Sequence, residues 1–106
     1  MDQDQVLYAR AELEGYVFTA ALRHLGTANI EASEEFAKGR VFDIFNYQED
    51  KKDIIQHLLF MSERIRGFVA EGRLDKAMRW LSFVQGCLWV LGIISIHDGQ
   101  EQNRKH

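Results

Sequence analysis

Residues 54–91 read IIQHLLFMSERIRGFVAEGRLDKAMRWLSFVQGCLWVL, and this stretch decides the fold. Its apolar residues recur every three or four positions: Ile54, Ile55, Leu58, Met61, Ile65, Phe68 and Val69, then Leu74, Ala77, Met78, Leu81, Val84 and Leu88. At about 100° per residue each set forms one stripe of a helix, where a strand would alternate every second residue. Between the stripes lies Glu71-Gly72-Arg73, long enough only for a tight reversal, with Gly72 suited to the left-handed conformation that ends a helix. The spacing predicts an antiparallel αα-hairpin, one helix opening near Asp50 and stopping at Gly72, the other running from about Leu74 to Leu91.

The same periodicity extends toward the N-terminus. A first helix is expected from about Asp4 to Leu25, with Asp2 or Asp4 able to cap its start and Gly26 placed to end it. Its apolar stripe reads as Leu7, Ala11, Phe18, Ala21 and Leu25. A second helix is expected from Ala32 or Ser33 to about Tyr47, because Ser33 can cap it and Glu34 and Glu35 suit the positive end of a helix dipole; Gly39 is its weak point. The tail from Ser95 can add one short helix. The 106 residues contain no proline, 46% are hydrophobic and 27% charged, which supplies a core and argues against disorder. No repeat, linker or low-complexity tract marks a second module. The expected fold class is all-α: a small bundle of about four helices with a C-terminal αα-hairpin, one domain over residues 1–106.

Thirteen Lys and Arg stand against 16 Asp and Glu, a net charge of -3, which speaks against a protein that coats nucleic acid. One cysteine, Cys87, excludes an intramolecular disulfide and a Cys-built zinc cluster and fits a reducing compartment. Met1-Asp2-Gln3-Asp4 lacks the basic start and apolar core of a signal peptide, so the expected compartment is the cytoplasm. Trp80 to Ile96 is a run of 17 uncharged residues, but Gln85 and two glycines interrupt it. It falls short of the ~20 apolar residues a spanning helix needs, so a buried helix is expected and no membrane partner.

Several residues fall outside the predicted stripes. Phe83, Gly86, Cys87 and Val90 lie on the far side of the second hairpin helix, making its later half apolar all round. Ser82 and Gly86, four apart, permit close helix approach, so this face reads as an oligomer seam, in a homodimer, unless the first or second helix covers it. Phe60 falls opposite its helix's stripe, beside Gly67, as a second contact surface. In the first helix Arg10 and Glu14 project into the apolar sector; an i to i+4 ion pair at its edge is expected, with a polar site inside the bundle as the functional alternative. Within residues 64–79, Arg64, Arg66, Arg73, Lys76 and Arg79 outnumber Glu71 and Asp75. With Trp80 they form a basic, aromatic edge suited to a phosphate-bearing ligand or an acidic partner; the plainer reading is a solvated hairpin end.

The carboxylates carry the one enzymatic echo. Glu31 and Glu34 stand three apart, as do Asp50 and Asp53, and on two antiparallel helices such pairs gather oxygens around Mg²⁺. The spacing is similar to the paired acidic motifs of the all-α nucleotide pyrophosphohydrolases of the MazG type, Glu-x-x-Glu followed by Glu-x-x-Asp. The resemblance covers Glu31 to about Met61, with Asp50 standing where that family has Glu. It implies, as an alternative, a Mg²⁺-dependent nucleotide pyrophosphohydrolase; the other nucleotide-handling reading, a sponge for a signalling nucleotide, rests on the basic edge. Capping and the helix dipole account for the same carboxylates without metal. His24, His57, His97 and His106 show no ligand spacing, and no catalytic set emerges.

Residues 66–81, and within them Lys76-Ala77-Met78-Arg79-Trp80-Leu81, followed by Phe83-Val84-Gln85-Gly86, resemble small accessory proteins encoded by bacteriophages and prophages. That resemblance implies a non-enzymatic protein that binds a bacterial host protein and inhibits or redirects it, blocking defence, transcription or another host process. Interface energy concentrates in Trp, Tyr and Arg, which makes Tyr8, Tyr16, Phe60, Arg73, Lys76 and Trp80 the candidate contacts.

Overall fold

The hairpin forms because each helix carries its own stop. In the computed structural model, which describes residues 1–35 and 39–104, α1 spans Gln3–Leu25, α2 Gln48–Ala70, α3 Leu74–Val90 and α4 Ile96–Arg104. Gly72 adopts φ 76°, its N–H donates to the Val69 carbonyl (3.0 Å), and the Arg73 N–H donates to the Phe68 carbonyl (2.8 Å). These two bonds take up the last carbonyls of α2 and turn the chain straight into α3. α3 ends the same way, with Gly92 at φ 77° and the Ile93 N–H on the Leu88 carbonyl at 2.9 Å. Asp2 caps α1 in a reciprocal box with Gln5, and left-handed Gly26 ends it. Among the described residues there is no strand, and no helix is long and apolar enough to cross a membrane.

α1 packs against both arms of the hairpin, and α4 packs back on α1. Val6, Leu13 and Val17 of α1 meet Ile55, Leu58, Ile65 and Phe68 of α2 and Ala77, Leu81, Val84 and Leu88 of α3 in one core. The hairpin stripes lie where their spacing puts them. The α1 stripe does not: Ala11 is exposed, Leu7, Phe18 and Leu25 are half-buried, and the buried face is Val6, Ala9, Leu13, Val17, Ala20 and Ala21. Arg10 shares that buried face, its guanidinium 2.5 Å from Glu14 and 3.3 Å from the Ser62 carbonyl of α2. The expected ion pair forms, but within the α1–α2 contact, where the carbonyl supplies the second acceptor a buried cation needs.

The helix expected from Ala32 or Ser33 to Tyr47 is absent among the described residues; residues 36–38 of that range lie outside them. The segment runs along α2 as a strap because its polar groups find partners off the helical path. The Ser33 N–H donates to the Gln56 carbonyl (3.1 Å), and Gly39 takes φ 75°. Asp43 accepts from the Phe45 and Asn46 N–H groups (3.1 and 3.2 Å), an Asx turn that competes with helix. Arg40 then locks the strap down, pairing with Asp50 at 2.6 Å and with Asp53, while the Asp43 N–H donates to Asp50 at 2.7 Å.

Ser95 and Asp98 cap α4 reciprocally (2.9 and 3.0 Å), and the bonds from Ser95 hold the Asp98 carboxyl below the usual aspartate range. Gln85, the polar residue in the uncharged run, is buried because it donates to Gln102 and Asn103 of α4, both at 3.0 Å. It anchors α4 against one flank of α3 and leaves the other flank open.

Candidate functional site

Two surfaces stand out, one at the hairpin end and one along the later half of α3. The first is the hairpin end. Phe68 is 2% exposed and meets Trp80 edge-on at 4.8 Å between ring centres; Phe60 lies 6.4 Å from Trp80 and 5.9 Å from His57. Phe60 is therefore half-buried in an aromatic row and does not stand out as a separate contact surface. Beside Gly67 the Arg64 guanidinium lies 3.4 Å from where a Cβ would stand, an ordinary van der Waals contact. Around Phe68 gather Arg64 (4.9 Å), Arg73 (5.4 Å) and Lys76 (4.8 Å), and the Lys76 Nζ also stands 5.7 Å from the Trp80 ring. Their stems shield the ring from water, and their heads leave the hairpin end strongly positive.

Phe60, Arg73, Lys76 and Trp80 thus share one cluster. Tyr8, 45% exposed, and half-buried Tyr16 stand on α1, outside it. Phe68 was legible in the sequence only as a core position; nothing in the spacing marked it as the ring on which three cations meet.

The second surface is the outer face of α3. Phe83, Trp89 and Val90 are 57%, 53% and 57% exposed, and the space above Gly86 is open. Phe83, Gly86, Cys87 and Val90 line an apolar groove of about 340 Å³ completed by Ile44 of the strap, Ile54 of α2, Ser82 and Leu91. Burial pushes the Cys87 thiol up from its ordinary pKa, so it stays protonated and unreactive at neutral pH. Sequence reasoning placed these seam residues on one face and missed what adjoins them. The strap carries Val41, Phe45 and Tyr47 outward, Val41 98% and Phe45 89% exposed. The signals that could have found them were Gly39 and the Asp43-x-x-Asn46 turn.

The acidic quartet is not assembled. Glu31 and Glu34 are exposed on a segment that is not helical, whereas Asp50 is buried and Asp53 half-buried, both paired with Arg40. Among the described residues no three His, Cys, Asp or Glu side chains are grouped to hold a metal ion. The first observation removes the pair of antiparallel helices that the metal reading needed. The pairs with Arg40 show what Asp50 and Asp53 do, which is to hold the strap.

Comparisons with protein-family models, with curated proteins and with solved structures found no match to this chain.

Proposed function

We propose that this chain is a non-enzymatic helical interaction protein. It pairs with a second copy through the outer face of α3 and binds a bacterial host protein, which it inhibits or redirects. The observation that carries the reading is the exposed apolar face of Phe83, Trp89 and Val90 around open Gly86. Apolar patches of this kind mark surfaces used in association. The same α3 carries Lys76 and Trp80 toward the hairpin end, with Arg73 at its N-cap and Trp80 one turn before Phe83. A pair of chains would present two such edges to a partner of opposite charge, with Arg73 and Trp80 as the energetic anchors. The mechanism is steric: a rigid hairpin end occupies a host surface that another molecule needs. The resemblance of residues 66–86 to phage accessory proteins supports the host setting and, with it, the bacterial cytoplasm.

The test is capture from bacterial lysate with the tagged protein, run beside an Arg73→Ala, Trp80→Ala double variant of confirmed helical content. One host protein enriched by the parent and reduced at least tenfold by the variant is the expected result, since truncating an interface anchor costs about 2 kcal/mol or more. Equal capture by both proteins would remove the hairpin end as the partner surface.

A further inference from the structure

The cations at the hairpin end are more tightly gathered than a solvated edge requires. Arg64, Arg73 and Lys76 all lie within 5.4 Å of the centre of one ring. No two of these charges can then be more than about 10 Å apart, close to one screening length in physiological salt. A ring has two faces, so at least two of the three cations share a side, and like charges there repel. Arg79 lines a groove of about 320 Å³ with Gly72, Arg73, Leu74, Asp75 and Lys76, adding a fourth positive group.

Carboxylates do not balance them. Arg73 has Glu71 at 3.6 Å, a pair half-exposed on both sides, and Asp75 lines the groove. Among the described residues Arg64, Lys76 and Arg79 form no ion pair. Arg10 and Arg40, by contrast, meet carboxylates: Arg10 pairs with Glu14, and Arg40 with Asp50 and Asp53. The cluster is also held rigidly, since its members stand on two packed helices and on the two-bond turn at Gly72.

We infer that this cluster is a binding site for a compact multivalent oxyanion, a diphosphate group carried free or on a nucleotide. A single carboxylate offsets one of the gathered charges. A diphosphate brings several charges and acceptor oxygens into the same small volume, where arginine forks and a lysine ammonium match it. The site shares Arg73 and Lys76 with the partner-facing edge but does not depend on the host-protein reading.

Trp80 supplies the readout, because the Lys76 ammonium lies over its ring and must move to reach a ligand. In a Trp89→Phe background, with exposed Trp89 removed, Trp80 emission is titrated at low salt with inorganic pyrophosphate, with ADP and with adenosine. Saturable change is expected with pyrophosphate and ADP and none with adenosine, weakening as salt rises. Lys76→Gln and Arg73→Gln each weaken binding about tenfold or more. Asp75→Asn, which removes a groove carboxylate without opening the core, tightens it by a few fold. Equal affinity for the two anions supports a site that reads the diphosphate alone, and tighter ADP makes the nucleotide its source. No saturable response to either anion in the folded protein overturns the inference, as does binding that neither glutamine variant nor Asp75→Asn changes. Host capture that persists without anion binding would leave the proposed function standing and remove this site alone.

Discussion

Phe68→Ala is expected to cost about 3–5 kcal/mol, a large part of the ~5–15 kcal/mol by which a domain of this size is stable. Phe68 is 2% exposed and sits where α2, the turn and α3 meet. Truncation removes the ring that Trp80 packs against at 4.8 Å and leaves a cavity at the base of the hairpin. It also strips Arg64, Arg73 and Lys76 of the ring beneath them, so three gathered cations lose their offsetting contact. The measurement is the urea midpoint, with Phe45→Ala beside it. Phe45 is 89% exposed, so its truncation should stay within about 0.5 kcal/mol. A Phe68→Ala loss under about 1 kcal/mol would mean that the ring does not organise the hairpin.

Arg40→Ala should have the next largest effect. Asp50, 7% exposed, accepts from Arg40 and from the Asp43 N–H, and Asp53 accepts from the same guanidinium. Without Arg40 two carboxylates face one another with no cation between them, and one is buried. Losing one partner of a fully buried pair costs about 3–5 kcal/mol; here about 2 kcal/mol is expected, because the Arg40 side chain is 42% exposed. The loss should be local, with amide exchange rising over residues 40–47 while the cores of α2 and α3 stay protected. Arg40→Lys should recover only part of it, since one ammonium cannot fork to both carboxylates. Unchanged exchange in Arg40→Ala would show that the strap is held by its apolar contacts, Ile44 among them, and not by the ionic clasp.

These two residues mark where the sequence could and could not be read. The hairpin was legible because its stripes, its three-residue connection and Gly72 all require the same geometry. The strap was not: Ser33, Glu34 and Glu35 satisfy the local rules for a helix start. What overrides them is long-range, namely the Gln56 carbonyl that takes the Ser33 N–H and the α2 carboxylates that take Arg40. The α1 stripe was misplaced as well. The expected stripe shared only Ala21 with the buried face, which lies to one side of Leu7 and Phe18 and takes in Val6, Ala9, Leu13, Val17 and Ala20. At the candidate site, residue type and spacing placed Phe83, Gly86, Cys87 and Val90 together on α3 and the cations at the hairpin end. Their reach did not follow from either, because Ile44 joins the α3 groove only once the strap is laid down, and Phe68 gathers cations from both sides of the turn.

The central claim is that the outer face of α3 is a pairing surface. Its most direct test is sedimentation equilibrium of the unmodified protein over a range of concentrations, with Phe83→Asp as the comparison. The account predicts a mass of twice 12.3 kDa for the parent, and a single 12.3 kDa species for Phe83→Asp, which places a charge in the apolar seam. A parent that stays at 12.3 kDa at every concentration would contradict it.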